Sequence, residues 1–174
     1  KMISIGGVLD KQSWGAEDFR ILAGQTGLSQ EALIYMDEQG RRKELLLLQK
    51  AYFRPVRVEC MPNSVISREE YVVDESGRPA KGTIIPYVEE GDILITNCSH
   101  VFGCRNGHAA IVVDADRRLV LEAQVLGSPS VIVSMDHWEA YPSFMVLRLK
   151  DADREERARI AEYAKRYLTG VPYR

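Results

Sequence analysis

At 174 residues the chain suits one domain, or a core with an appendage, and can bury roughly 70% of the surface its unfolded form exposes. Its 23 basic and 25 acidic side chains leave a net charge of -2, which argues against a nucleic-acid or polybasic membrane surface and leaves small or neutral substrates open. No apolar run approaches the ~20 residues of a membrane span, and three cysteines, Cys60, Cys98 and Cys104, are too few and odd in number for a disulfide scaffold.

Ser13 is placed to cap a first helix over residues 16–23, with Phe19, Ile21, Leu22 and Ala23 supplying an apolar side before Gly24. Ser29 reads as the N-cap of a second helix, 30–39, with Leu33, Ile34 and Met36 inward. A third helical run, 41–53, is stopped by Pro55, so residues 1–55 form a helical extension. Composition shifts at Val56. Residues 56–60 alternate, and 71–73 and 83–85 flank the turn-rich 74–79, which makes 56–90 a hairpin-rich connecting region. Strands follow near 92–96, 108–113, 118–123, 131–133 and 144–150, and their short turns imply an antiparallel sheet. Asp136 opens a short helix through Ala140. Asp151 or Asp153 opens a longer one to about Leu168, with Ala158, Ile160, Ala161, Ala164 and Leu168 as its buried side. The charged residues 151–159 read as a solvated helix face with capping carboxylates.

Chemistry concentrates between Gly91 and Ala123. His108 opens the apolar strand Ala109-Ala110-Ile111-Val112-Val113, and Glu122 closes Leu119-Val120-Leu121. A three-residue loop, with Val113 paired to Arg117, sets His108 opposite Glu122 on one face; a two-residue loop sets it opposite Ala123. An imidazole and a carboxylate so placed can form the base and orienter of a hydrolase, which still requires a nucleophile, and the plainer alternative is a hydrogen-bonded structural pair. Asn106 and Gly107 would shape the turn that delivers His108, and His137, on a short surface helix, reads as structural. Two local alternatives stand: a zinc site of Cys98, His100, Cys104 and His108, and an internal thiol, Cys104 or Cys98, beside His108. The spacing matches no compact zinc knuckle, and a cysteine in an irregular loop lacks rigid support.

These residues resemble a known family. Gly91-Asp92-Ile93-Leu94, Gly107-His108-Ala109-Ala110-Ile111-Val112-Val113, Leu121-Glu122-Ala123, Ser134-Met135-Asp136-His137-Trp138 and Phe144-Met145-Val146-Leu147-Arg148-Leu149 stand in the order and spacing of the circularly permuted NlpC-like papain-fold cysteine hydrolases, the YiiX-like group. The likeness continues through an Ala-rich helix into Gly170-Val171-Pro172-Tyr173 and covers about 85 residues. It implies an α+β fold: a papain-like core with a curved antiparallel sheet packed on a helix, partial over 91–174 and preceded by the helical extension. It implies His108 as general base and Glu122 as its orienter, with no cofactor and no metal. The family's nucleophile is a cysteine at the start of the helix after the Gly-x-Pro-Tyr turn, so it is expected beyond residue 174. Cys60, Cys98 and Cys104 do not match it.

The expected function is a thiol-dependent amidase or peptidase acting on a small peptide or amide, peptidoglycan-derived peptides among the candidates. The setting that family habit suggests is bacterial, in the cell envelope or secreted, and otherwise cytoplasmic. The opening at Lys1 and the close on a Gly/Pro connector at 170–174 suggest a fragment at both ends. The rival to catalysis is a binding module that keeps the fold and lacks the nucleophile.

Overall fold

The computed structural model describes residues 1–125 and 127–173. Arg174, the last residue of the expected C-terminal connector, lies outside them. The chain divides into two units, Lys1–Pro55 and the residues from Val56 on.

The first unit is helical: α1 (Gly6–Leu9), α2 (Ala16–Thr26), α3 (Gln30–Glu38) and α4 (Glu44–Tyr52). Ile5, Leu22, Leu33, Met36, Leu45 and Leu48 form its core, while Ile34, expected inward, is exposed. Ser29 caps α3 by accepting from the Ala32 amide at 3.2 Å. Gly15, not Ser13, stands at the N-cap of α2, where the Asp18 carboxylate accepts from the Gly15 amide at 3.0 Å and is held by Lys11 at 2.6 Å. A carboxylate one turn into the helix thus does the work assigned to a hydroxyl before it.

The second unit is α+β and antiparallel. Its strands are β1 (Arg57–Pro62), β2 (Ser67–Val73), β3 (Ile93–Val101), β4 (Cys104–Asp114), β5 (Leu119–Glu122), β6 (Val131–Ser134) and β7 (Met145–Leu147). They lie in chain order from β1 to β6, and β7 pairs with β3 along Ile93–Ile95, while β2 pairs with β3 farther on, at Ser99–Val101. The expected turn at 74–79 forms, with the Asp74 amide donating to the Arg78 carbonyl at 2.9 Å and Val73 bridged to Pro79; a further hairpin joins β1 and β2 across 63–66, and Thr83-Ile84-Ile85 is not a strand. Ile85 instead enters the core. Residues 57–73 therefore belong to the sheet rather than to a connector.

One face of the sheet packs on α5 (Arg154–Leu168) through Val113, Leu121 and Ala164. Asp153 and Glu156 cap that helix reciprocally, at 2.7 and 2.9 Å. Ala161 and Ala164 are buried as expected, but Ile160 and Leu168 are exposed, and Arg157, within the supposed solvated face, is buried and ion-paired to Glu89. Beside it Asp92, fully buried, receives the Arg148 guanidinium at 2.6 and 2.8 Å. Gly91 is required here: its φ is +84°, and a Cβ would come within 2.7 Å of the Arg157 carbonyl oxygen.

The other face carries Leu94, Ala110, Val112 and Val120, covered by a 3-10 turn at Met135–Ala140 and by Tyr141. That turn is tethered by the 81–83 segment, whose Gly82 and Thr83 amides donate to the Glu139 carbonyl at 2.9 and 3.1 Å. No described helix is long and apolar enough to cross a membrane. A Cβ at residue 82 would lie 2.4 Å from a Val72 methyl, so Gly82→Ala is expected to destabilise the second unit by about 1–3 kcal/mol, read as a lowered midpoint in urea unfolding.

Candidate functional site

β4 delivers His108 through a hairpin that the sequence reading treats as a loop. Phe102 and Gly103 have φ of 51° and 78°, and Val101 pairs with Cys104, giving a two-residue turn of the primed kind. Asn106 and Gly107 therefore lie within the strand and do not form its turn. His108 pairs with Thr96 on β3, beside a bulge where Asn97 and Cys98 oppose Gly107.

On the other side, Ala110 pairs with Glu122, so His108 is not directly opposite Glu122. The β4–β5 connection is longer than expected because Arg118, at φ 55°, closes it and ion-pairs with Asp136 and Glu139 at 2.8 and 3.1 Å. The register moves by two residues. A two-residue shift preserves the face, and His108 and Glu122 meet diagonally. His108 Nε2 is 3.1 Å from Glu122 Oε2, and the His108 ring stacks on Trp138 with centroids 5.4 Å apart.

Glu122 is the centre of the arrangement. Its side chain has no exposed surface, and besides His108 it accepts from Trp138 Nε1 at 3.0 Å and Gln124 Nε2 at 2.6 Å. His137 Nε2 lies 3.0 Å from Oε1 and 3.2 Å from Oε2. Burial opposes ionisation, but the hydrogen bonds from His108 and His137 outweigh it and hold the carboxyl well below the usual carboxylate range. His137 is pushed the opposite way. Its partial burial disfavours charge, yet the Glu122 carboxylate and the Ser134 carbonyl raise it above its ordinary value.

Three of these groups were not foreseen as site residues. Trp138, Gln124 and His137 reach Glu122 because β6 pairs with β5, Glu122 opposite Val131, and the 3-10 turn folds back immediately after Ser134. Adjacent His and Trp in a tight turn after a strand were the available signal. A second buried carboxylate, Glu69, lies on the β2 side. It accepts from the hydroxyls of Tyr71 and Tyr141, the latter at 3.2 Å, and the two rings stack at 5.3 Å. Burial, reinforced by Glu69, raises both phenols, which stay donors.

Among the described residues no hydrogen bond joins the other sequence candidates to His108. Cys98 is buried in the core, its Sγ 3.7 Å from the Ser143 carbonyl. Cys104 is exposed at the hairpin tip, four residues or about 13 Å along an extended strand. His100 is engaged by Glu70 at 2.8 Å, and Cys60 is exposed on β1. Among the described residues no group of three or more His, Cys, Asp or Glu side chains is arranged to hold a metal ion. The four residues of the zinc alternative are dispersed along one hairpin.

No protein-family model matches the chain, and no curated protein or solved structure matches it significantly.

The two shifts fix a pH response. His137, raised when folded, contributes stability present below its ordinary 6.5 and lost as pH rises through its higher folded value. Glu122, lowered when folded, contributes stability present above its ordinary 4.5 and lost as pH falls through its lower folded value. Urea unfolding of the second unit is therefore expected to show its largest contribution from this pair between about pH 4.5 and 6.5. Glu122→Gln should flatten the decline on the alkaline side.

Proposed function

We propose that this chain carries the base and orienter of a thiol-dependent amidase or peptidase built on a permuted papain-like core. The observation that supports this most is the division of labour on His108. Its Nε2 is held on a buried carboxylate and its ring is braced by Trp138, which leaves Nδ1 as the nitrogen not engaged by Glu122. A base needs this arrangement: one nitrogen fixed as a donor, the other presenting a lone pair in a defined direction.

The thiol comes, in this reading, from residues that follow 173. The 170–173 segment is stapled beside the site: the Val171 and Tyr173 amides are hydrogen-bonded to Ser130 and Ser128, and Ser130 adjoins Val131, the strand partner of Glu122. In the reaction His108 Nδ1 takes the thiol proton while sulfur attacks the amide carbonyl carbon. The C–N bond breaks, the amine leaves with the proton from His108, and water, deprotonated by the same nitrogen, cleaves the thioester to free the acid and the thiol. Glu122 keeps the ring in one tautomer and balances its transient charge. The substrate class is a small peptide or amide, with cell-wall peptides a fitting example.

The test uses the full-length gene product. A thiol-directed electrophilic probe should label a downstream cysteine, and His108→Ala should slow that labelling about 100-fold or more. Labelling confined to Cys60 or Cys104, or a rate indifferent to His108→Ala, overturns the proposal and favours a binding module.

A further inference from the structure

Glu122 serves two imidazoles, and the hydrogen-bond inventory fixes the state of the second. His137 Nδ1 lies 2.8 Å from the Ser134 carbonyl oxygen, which can only accept. Its Nε2 faces both oxygens of Glu122 at 3.0 and 3.2 Å. Those oxygens already accept from groups that can only donate here, the Trp138 indole on Oε2 and the Gln124 amide on Oε1. Both nitrogens of His137 thus face acceptors, and a ring that donates from both is an imidazolium.

We propose that His137 is a positioning residue whose imidazolium balances the Glu122 charge, leaving His108 free to exchange its proton as the base rather than being locked as the carboxylate's counter-ion. The inference rests on the hydrolase reading only for its purpose; the charge arrangement stands on the geometry alone. The exposure of the two rings agrees with the roles. The His137 side chain is about one-third exposed (32%), which tolerates a standing charge, whereas that of His108 is 10% exposed and stacked on Trp138.

The groups facing His137 are few. They are Glu122 from β5, Trp138 and the Ser134 carbonyl from its own turn, and Tyr141, whose ring centre is 6.4 Å away. Glu69 on β2 adds a more distant negative charge. Every charged group in this set is negative, and His137 supplies the opposing charge. With a neutral residue in its place, the full carboxylate charge would act on His108 alone and raise its proton affinity.

The experiment needs no nucleophile, so its failure is distinguishable from failure of the hydrolase reading. Ring 15N and 13Cε1 NMR titrations of the 174-residue chain report both histidines. In the wild type, His137 should be protonated on both nitrogens at pH 6.5. His137→Gln should raise the His108 midpoint by about one pH unit, a tenfold gain in proton affinity, and His137→Arg should restore it. A purely structural role for His137 would not give that pattern of loss and rescue. A single-tautomer neutral His137 at pH 6.5 overturns the proposal even if His137→Gln fails to fold. A folded His137→Gln protein with an unmoved His108 midpoint overturns it as well.

Discussion

The second unit is organised around a carboxylate that has no access to water. Glu122 sits at the end of β5 with its side chain wholly covered, and a lone ionised carboxylate in such a place would cost several kcal/mol. Four side chains meet that cost by donating to it: His108, His137, Trp138 and Gln124. They arrive from β4, from the 3-10 turn after β6 and from the residue two beyond Glu122 itself. The need to satisfy one anion therefore goes with the return of the 3-10 turn onto the sheet and the orientation of both imidazoles.

The rest of the fold supplies rigidity around that point. The bulge in β3 beside His108 and the primed turn at Phe102-Gly103 fix the strand that carries His108. Arg118 bridges the β4–β5 connection to Asp136 and Glu139, so the turn bearing His137 and Trp138 is anchored from two sides, the second being Gly82 and Thr83 on the Glu139 carbonyl. On the opposite face, the Asp92–Arg148 and Glu89–Arg157 pairs tie the start of β3 to β7 and α5. Buried ion pairs of this type add little net stability against apolar substitutes, but breaking one partner leaves an uncompensated charge, which makes them effective at enforcing one arrangement.

The sequence made the helical extension, the antiparallel strands from β3 onward and the His108–Glu122 pair legible, because each rests on local pattern: caps, alternation, and parity along two strands. Ser29 and Asp153 acted as hydroxyl and carboxylate caps for reasons that lie within one helical turn. What escaped depended on distance. The exact β4–β5 register turned on ion pairs made by Arg118 with residues 18 and 21 positions away. The partnership of β2 with β3 was hidden because Arg68, Glu69 and Glu70 interrupt the apolar signal of that strand, yet Glu69 is buried by hydroxyls from Tyr71 and Tyr141. His137 looked like a surface residue for the same reason: the carboxylate that captures it is 15 residues earlier. Compact spacing alone carried little: Cys98, His100, Cys104 and His108 are close in sequence, yet among the described residues no three such side chains are grouped to hold a metal ion.

This organisation depends on Glu122 being an ionised acceptor in the folded chain. A 13C-carboxyl NMR titration from pH 2 to pH 8, with the Glu122 signal assigned by its loss in Glu122→Gln, measures this directly. The Glu122 carboxyl is expected to remain ionised well below its ordinary 4.5 while the protein stays folded. A midpoint at or above that value would contradict it, because a protonated Glu122 would donate to an imidazole instead of holding two of them.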